Sequence, residues 1–294
     1  MDWQDQLIAV YLYICKEYET DLWVCVQRFS SHVDLKMSDE EIISLYLFGI
    51  IDGHRTIKQI HKYADRHLRA WFPELPSYPG YVMRLNRLAD IFAPLLERIQ
   101  SGLPTKPNKL LIDSFPVALA RQGHRFKACV APEIANHGYC STKKLYFYGV
   151  RVHVIGRRQS GTLPTPEYLS LSPASENDGK VFDSIRPKLY GEELFGDKAY
   201  ERPDAAMIEQ QQELKVFTPV KKKKGQPYLD ADEKWLSTAV SQVRQPIETL
   251  FGWIEKKTGI EIASNVRSYQ GLLVHVFGRL AAAMFFWNRL RVSS

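Results

Sequence analysis

The sequence has few features of a secreted, membrane-embedded or nucleotide-hydrolysing protein. Its 294 residues include only four scattered cysteines, which excludes a disulfide framework and favours reduced thiols in a cytosol. Acidic residues begin at Asp2 with no apolar signal segment after them, so we expect a cytoplasmic protein. The longest apolar run, residues 271–287, contains His275 and Arg279 and therefore predicts a buried helix and no membrane partner. A Gly-x4-Gly-Lys-Ser/Thr loop is missing, so ATP is not implied.

Positive charge is concentrated in the second part of the chain. The 39 Lys and Arg against 33 Asp and Glu give a net charge of +6. Residues 1–100 contain 11 basic and 14 acidic side chains, a net of −3, which leaves 28 and 19, a net of +9, for the remainder. Cationic side chains bind polyanions by displacing condensed counterions. The pattern suits a nucleic-acid partner, although an ordinary basic soluble protein would also show it.

The first hundred residues have the periodicity of helices. Apolar residues recur at helical spacing over 3–18, and Ser38 followed by three acidic residues predicts an N-cap for a helix that ends near Gly53. Thr56 or a neighbour begins another helix, which reaches about Leu68. The two helices, joined by a short turn, resemble a helix-turn-helix. We therefore predict an all-α domain over 1–100 that could bind DNA, although helical hairpins are also common packing units.

The chain changes character after a linker at 101–108, which contains Gly, two Pro and Asn. Short apolar or alternating runs then predict strands that are mixed with helices, and the last part predicts two long helices. This order indicates an α/β domain over 109–294, with helices packed on a sheet. The predicted strands are 109–117, 145–156, 167–172, 193–196 and 215–220, and the predicted helices are 180–189, 203–213, 232–257 and 269–291.

Three acidic residues lie in apolar surroundings, where a charge is costly unless something compensates it. Asp113 is in the middle of a predicted strand, Asp197 follows another strand, and Glu248 is inside a largely apolar stretch of helix. Each acid alone could be a satisfied structural residue, but three together favour a shared cation. Carboxylate oxygens without Cys or His partners select Mg²⁺, with Mn²⁺ as a substitute. Two such ions can drive phosphodiester cleavage.

The helix that carries Glu248 also offers basic side chains. Arg244 is four residues before Glu248 and shares its face, and Lys256 is roughly 80° round from it. The alternative is an ordinary i,i+4 ion pair. Pro246 in this helix predicts a kink or a local break. Asp178 lies just before the predicted helix 180–189, and we expect it to cap that helix rather than approach the metals. Further candidates for DNA contact are Lys143, Lys144, Lys221, Lys222, Lys223 and Lys224, although such a lysine run is usually a solvated loop.

Together these motifs resemble a known family. The segments IDS around Asp113, GDKAY around Asp197 and VRQPIETLFGWIEKKTGI around Glu248, in this order, look like the DDE transposases of bacterial insertion sequences. The segment NVRSYQGLLVHVFGRLAAA, residues 265–283, is similar to the insertion sequence 982 family. The resemblance covers roughly residues 105–290.

The resemblance implies an RNase H-like catalytic domain with two Mg²⁺ ions that cuts and joins DNA. Asp113, Asp197 and Glu248 match the catalytic, metal-binding triad, and Arg244 matches the arginine of the helix signature Tyr-x2-Arg-x3-Glu-x6-Lys. Ser241 replaces the signature tyrosine, and Glu255 stands where the signature has lysine, so Lys256 is a candidate for the phosphate contact.

The implied partners are the double-stranded DNA of element ends and target DNA, bound by a homodimer in the bacterial cytoplasm at the nucleoid. Two other functions remain open at this point. The chain could be a metal-dependent RNase H-like nuclease without strand transfer, or a non-catalytic DNA-binding derivative of a transposase.

Overall fold

The structure is a computed structural model, and it describes residues 2–27, 36–103, 109–201, 206–222, 226 and 228–292. The chain forms two compact units. The helical unit comprises Met1–Leu103, Cys129–Glu133 and Ile254–Ser294, and the sheet unit comprises Pro104–Ala128 and Ile134–Trp253. The division after Leu103 falls within the predicted linker, of which residues 104–108 lie outside the described part. Residues 254–294 belong to the helical unit, whereas the sequence assigned them to a catalytic domain over 109–294.

Helices form all the regular structure described in 2–27 and 36–103, but this region becomes compact only together with 254–294. The structure therefore does not clearly show a separate all-α domain over 1–100. A π-helical turn, Val274–Gly278, joins the last two helices. The helices of the unit, beside the end of a long helix described below, are α1 (Trp3–Thr20), α2 (Asp39–Ile51), α3 (Ile57–His67), α4 (Tyr78–Arg87), α5 (Phe92–Ser101), α9 (Tyr269–Leu273) and α10 (Arg279–Val292).

Helix α2 forms the centre of the helical unit. Ten of its thirteen residues are buried, and it packs against α1, α3, α4 and α10. Both predicted starts are confirmed by capping boxes. Ser38 accepts a hydrogen bond from the backbone N–H of Glu41, whose side chain accepts one from Ser38 in return, and Thr56 exchanges the same pair with Gln59. The helix ends as predicted, because Gly53 adopts φ +96°, a conformation that glycine tolerates.

The apolar C-terminal helix is a core element of this unit. The stretch Tyr269–Asn288 is long and apolar enough to cross a membrane by length and composition alone, but 72% of its apolar 18-residue window is buried inside the protein. It packs against α2 and α5. The predicted buried helix is confirmed, and His275 and Arg279 lie within it as buried residues.

The sheet unit contains one mixed six-stranded sheet. Strand β3 pairs antiparallel with β1 on one edge, and on its other edge with β2 at one end and β4 at the other. Strands β1, β5 and β6 are mutually parallel neighbours. The strands are β1 (Lys109–Arg121), β2 (Asn136–Cys140), β3 (Leu145–Arg157), β4 (Thr165–Pro173), β5 (Glu193–Phe195) and β6 (Lys215–Phe217). Strand β2 was not predicted.

Helices lie on both faces of this sheet, which is consistent with the predicted RNase H-like α/β class. On one face, Phe182 of α6 (Asp178–Ile185) packs against Leu110 and Ile112 of β1. On the other, α8 (Ala231–Thr258) packs through Phe251, whose ring lies 4.9 Å from that of Phe115. The short helix α7 (Ala206–Gln211) precedes β6. Successive residues of β1 therefore face different helices, as strand geometry requires.

The break expected at Pro246 is wrong, because α8 is helical throughout Ala231–Thr258. A proline removes one helical hydrogen bond, here the bond to the carbonyl of Gln242. Gln242 is exposed, so water can bind this carbonyl. Ile247 and Leu250 are fully buried and fix the helix to its neighbours just after the proline.

Candidate active site

The sheet register brings Asp113 and Asp197 to the same end of two neighbouring strands. Leu111 of β1 is paired with Phe195, the last residue of the parallel strand β5. Asp113 and Asp197 each follow two residues later and therefore lie side by side, about one strand spacing of ~4.8 Å apart in the backbone. Asp197 begins a tight turn, where its Oδ1 accepts a hydrogen bond from the N–H of Ala199 at 2.7 Å.

Helix α8 adds Glu248 and Arg244 to this edge of the sheet. Arg244 donates from Nη1 to Oδ2 of Asp113 at 2.5 Å and from Nη2 to Oε1 of Glu248 at 2.6 Å. The i,i+4 pair considered from the sequence is thus present, but the same guanidinium also binds a carboxylate 131 residues away. Arg244 and Asp113 are largely buried, whereas Glu248 is 56% exposed. One arginine therefore bridges two of the predicted triad residues.

The three carboxylates interact electrostatically. The pKa of Asp113 is raised from 3.8 to about 6, chiefly by burial and also by the charges of Asp197 and Glu248, against the opposing effects of Arg244 and the N–H of Ser114. Asp113 is largely buried, and the charges of both other carboxylates act on it. We call Asp113, Asp197 and Glu248 the carboxylate cluster.

Close packing between Gly196 and Tyr200 determines which residues the GDKAY segment has at these two positions. A Cβ on Gly196 would lie 2.7 Å from Cδ2 of Tyr200 and 2.9 Å from Cγ2 of Ile112, so only glycine fits without displacement of a neighbour. Tyr200 is 1% exposed, and its hydroxyl has no hydrogen-bond partner among the described residues. Burial and the charges of Asp178, Asp113 and Asp197 raise its pKa. Gly196 and Tyr200 therefore fix where Asp197 leaves the strand.

A second polar network lies on the opposite face of β1, and the sequence did not predict it. Ser114 donates from Oγ to Asp178 Oδ1 at 3.0 Å, and Arg151 lies 3.6 Å from Asp178 Oδ2. The expectation that Asp178 caps α6 is wrong, because Asn177 is the N-cap and Asp178 points to Arg151. Burial lowers the pKa of the neighbouring His153 to about 4, so this imidazole is neutral at pH 7. The only sequence signal was that Ser114 directly follows Asp113.

The predicted DNA-binding lysines do not join the carboxylate cluster. Lys143 and Lys144 are exposed in the turn between β2 and β3, at the end of β3 paired with Arg121, which is eight residues or roughly 26 Å along β1 from Asp113. Lys256 is exposed and belongs to the helical unit.

The lysine run after β6 lies at the carboxyl ends of the parallel strands. Lys221 and Lys222 are exposed, and Lys221 pairs with Glu201 at 3.1 Å, four residues after Asp197. Lys223 and Lys224 lie outside the described residues.

The chemistry of the donors in the cluster suits a hard divalent cation. Within the described ranges, no group of three or more His, Cys, Asp and Glu side chains is arranged to hold a metal ion, and Arg244 separates Asp113 from Glu248. Oδ2 of Asp197 and Oε2 of Glu248 accept no hydrogen bond from any of the described residues. Such oxygens are the ligands that Mg²⁺ and Mn²⁺ prefer. The donor set fits, with Arg244 as the competing cation.

The family model described as Transposase DDE domain matches residues 104–285, which include all three carboxylates. No curated protein and no solved structure matches the chain. Because the family model spans more than half of the sequence, the chain belongs to the Transposase DDE domain family.

Proposed function

We propose that this transposase cleaves and joins DNA at the ends of a bacterial insertion sequence similar to those of the insertion sequence 982 family. Asp113, Asp197 and Glu248 are its catalytic residues. The observation that carries the proposal is the bridge from Arg244 to Asp113 and Glu248, beside a strand register that puts Asp197 next to Asp113. Three acids far apart in sequence meet at one edge of an RNase H-like sheet, in a chain with a basic second part.

The carboxylate cluster would hold two Mg²⁺ ions, or Mn²⁺ in their place. When bound, such ions activate the attacking hydroxyl and stabilise the leaving oxygen of a phosphodiester. The chain's own contribution is to fix the acids on rigid elements, a strand, a strand end and a helix that is buried at Ile247 and Leu250.

Arg244 would act in two ways. Without a metal ion it neutralises Asp113 and Glu248, which would otherwise repel each other near a buried position. When a cation takes these carboxylates, the guanidinium is free to bind a DNA phosphate, for which its planar donors are well suited. Arg244 is therefore a positioning residue for the acids and a DNA contact in the loaded enzyme.

Other DNA contacts are proposed on both units. Lys221 to Lys224 and the hairpin lysines Lys143 and Lys144 would bind phosphates in the sheet unit, as would Lys256 in the helical unit. We propose that α2 and α3 act as a helix-turn-helix. Helix α2 is the buried support, and α3 presents Lys62 and Arg66 on its exposed face to duplex DNA. A homodimer in the cytoplasm, bound to two element ends and then to target DNA, completes the proposal.

The test is cleavage of a labelled duplex that carries an end of the DNA element encoding the chain. With Mg²⁺ we expect a nick that exposes a 3′ hydroxyl, followed by joining of this end to a supercoiled target plasmid. Asp113→Ala, Asp197→Ala and Glu248→Ala should each abolish both products and retain duplex binding. Asp230→Asn, a change at an exposed acid outside the site, should retain both products.

The products also separate the alternatives. Cleavage without joined products, under conditions where a pre-nicked end is supplied, identifies a nuclease without strand transfer. Duplex binding with no metal-dependent nicking by the wild type identifies a non-catalytic derivative. Full cleavage by all three alanine variants refutes the assignment of the carboxylates.

A further inference from the structure

The helical unit contains a second candidate site, a cavity of about 520 Å³ unrelated to the carboxylate cluster. Its wall is formed by the start of α3, by α4, by residues 262–268 and by α9 with the start of α10. Four cationic side chains line it and no carboxylate does. These are Arg55, Lys58, Arg267 and Arg279.

Arg279 is a buried cation without a carboxylate partner. It is 4% exposed, and its two terminal nitrogens donate to the backbone carbonyls of Thr258 and Arg55. Its Nε has no acceptor among the described residues, and the pairs found there include no ion pair of Arg279. Burial lowers the pKa of Arg279, and Tyr46 opposes this more than the carboxylate of Glu255, whose Oε2 already accepts a hydrogen bond at 2.8 Å. A buried arginine in this state is costly unless an anion compensates it.

Capping of α8 accounts for only part of this cation group. Arg55 donates to the carbonyls of Glu255 and Lys256, and Arg279 to that of Thr258, so these two offset the negative end of α8. Arg267 binds only local carbonyls, and Lys58 has no ion pair in the part of the chain that is described. Both are exposed and line the cavity, and Lys58 lies in the first turn of the eleven-residue helix α3. Anions bind at such helix starts.

The rest of the wall is suited to a nucleobase. The cavity is far larger than an inorganic phosphate and falls in the size range of small-molecule sites. Its lining includes the ring of Tyr78, 39% exposed, and the amide side chains of Asn86 and Asn265. Aromatic rings stack on bases, and amides pair with base edges. The geometry points to a site for a single nucleotide, whose phosphate the cations would bind and whose base Tyr78 would contact.

The same chemistry could come from two sources, a free mononucleotide or a nucleotide turned out of a DNA duplex. The inference does not rest on the proposed catalysis, because nucleotide binding can be measured in EDTA, where the carboxylate cluster holds no divalent cation. The full chain is titrated with dAMP and with inorganic phosphate by calorimetry. We expect dAMP to bind more tightly than phosphate, and Lys58→Ala and Arg267→Ala each to weaken dAMP about tenfold, the loss of one charge-assisted hydrogen bond.

Two further variants sharpen the test. Lys16→Ala removes an exposed lysine of α1 in the same unit, outside the cavity, and should leave dAMP binding unchanged. Val82→Phe fills the cavity without a change of charge and should weaken dAMP but not duplex DNA. The proposal is overturned if dAMP binds no better than phosphate, if Lys58→Ala and Arg267→Ala bind like the wild type, or if Val82→Phe has no effect.

Competition by DNA then identifies the source. A duplex with one unpaired nucleotide that displaces dAMP better than a fully paired duplex assigns the site to an extrahelical nucleotide. Retention of dAMP in the presence of either duplex assigns it to a free nucleotide.

Discussion

Replacement of Asp113 by asparagine should stabilise the metal-free protein at neutral pH while it removes the proposed activity. The pKa of Asp113 is 3.8 in an unfolded chain and about 6 in the folded one. The folded state therefore holds the proton more tightly, and stability is lost as the pH rises from about 4 through about 6. At pH 7.5 this loss is about 3 kcal/mol, and at pH 4 it falls below about 1 kcal/mol. Asparagine cannot ionise, so Asp113→Asn avoids the loss.

The assay is urea unfolding of wild type and variant in EDTA at pH 4, 5 and 7.5. We expect the difference in free energy of unfolding to favour Asp113→Asn and to grow with pH. Asp230→Asn, at an exposed position, is the matched control and should show no pH-dependent gain. A variant that is less stable than wild type at pH 7.5, or a difference that does not change with pH, would refute the view that Asp113 is a strained charge held for metal binding.

Three other substitutions test the fold. His275 is buried with its pKa lowered to about 3 and its Nε2 2.8 Å from the carbonyl of Ile260, so wild type should lose about 2 kcal/mol relative to His275→Gln between pH 7 and pH 5, because only its unfolded state gains the proton. Gly196→Ala should cost about 1–3 kcal/mol by overpacking against Tyr200 and should reduce DNA cleavage through a shift of the adjoining strand end. Ser38→Ala should cost about 1 kcal/mol, because it removes one half of a capping box.

Urea unfolding measures all three, and each has a contradicting result. A constant difference between His275→Gln and wild type over this pH range would mean that the folded protein protonates His275 as readily as the unfolded chain does. A wild-type unfolding curve for Gly196→Ala would mean that the contact with Tyr200 relaxes freely. An unchanged midpoint for Ser38→Ala would mean that water replaces the cap.

Local signals in the sequence predicted local structure well. The starts of α2 and α3 depend on Ser38 and Thr56, whose capping partners lie three residues away. The pairing of Asp113 with Arg244 spans 131 residues, and no spacing rule contains it. The sequence could indicate that these charges need compensation, but not which atoms provide it. The apolar surroundings of Asp113, Asp197 and Glu248 suggested a shared cation, and the resemblance of the motifs implied their roles as a catalytic triad.

The features that the sequence analysis did not predict correctly have a common cause. Strand β2 has only five residues, mostly solvent-accessible, and it exists because β3 offers an edge for it. Asp178 looked like a helix cap, since acids favour that position, but Arg151 and Ser114 compete for its carboxylate across the sheet. Pro246 looked like a helix break, but the buried residues after it hold the helix. In each case a contact with another element of the fold decided the outcome.

The helical unit combines residues from the beginning and the end of the chain, and this affects how it folds during translation. Helices α1 to α5 emerge first, yet the apolar helix that packs against α2 and α5 is translated more than 160 residues later. During this interval the early helices expose the apolar face that α10 later buries, and such a face binds chaperones or self-associates. A fragment that stops before residue 254 would keep that apolar face exposed. A fragment that starts at residue 109 would lack α2 and α5, and its apolar C-terminal helix would be exposed to solvent. Expression of either fragment should yield aggregated material, so biochemical work needs the full polypeptide.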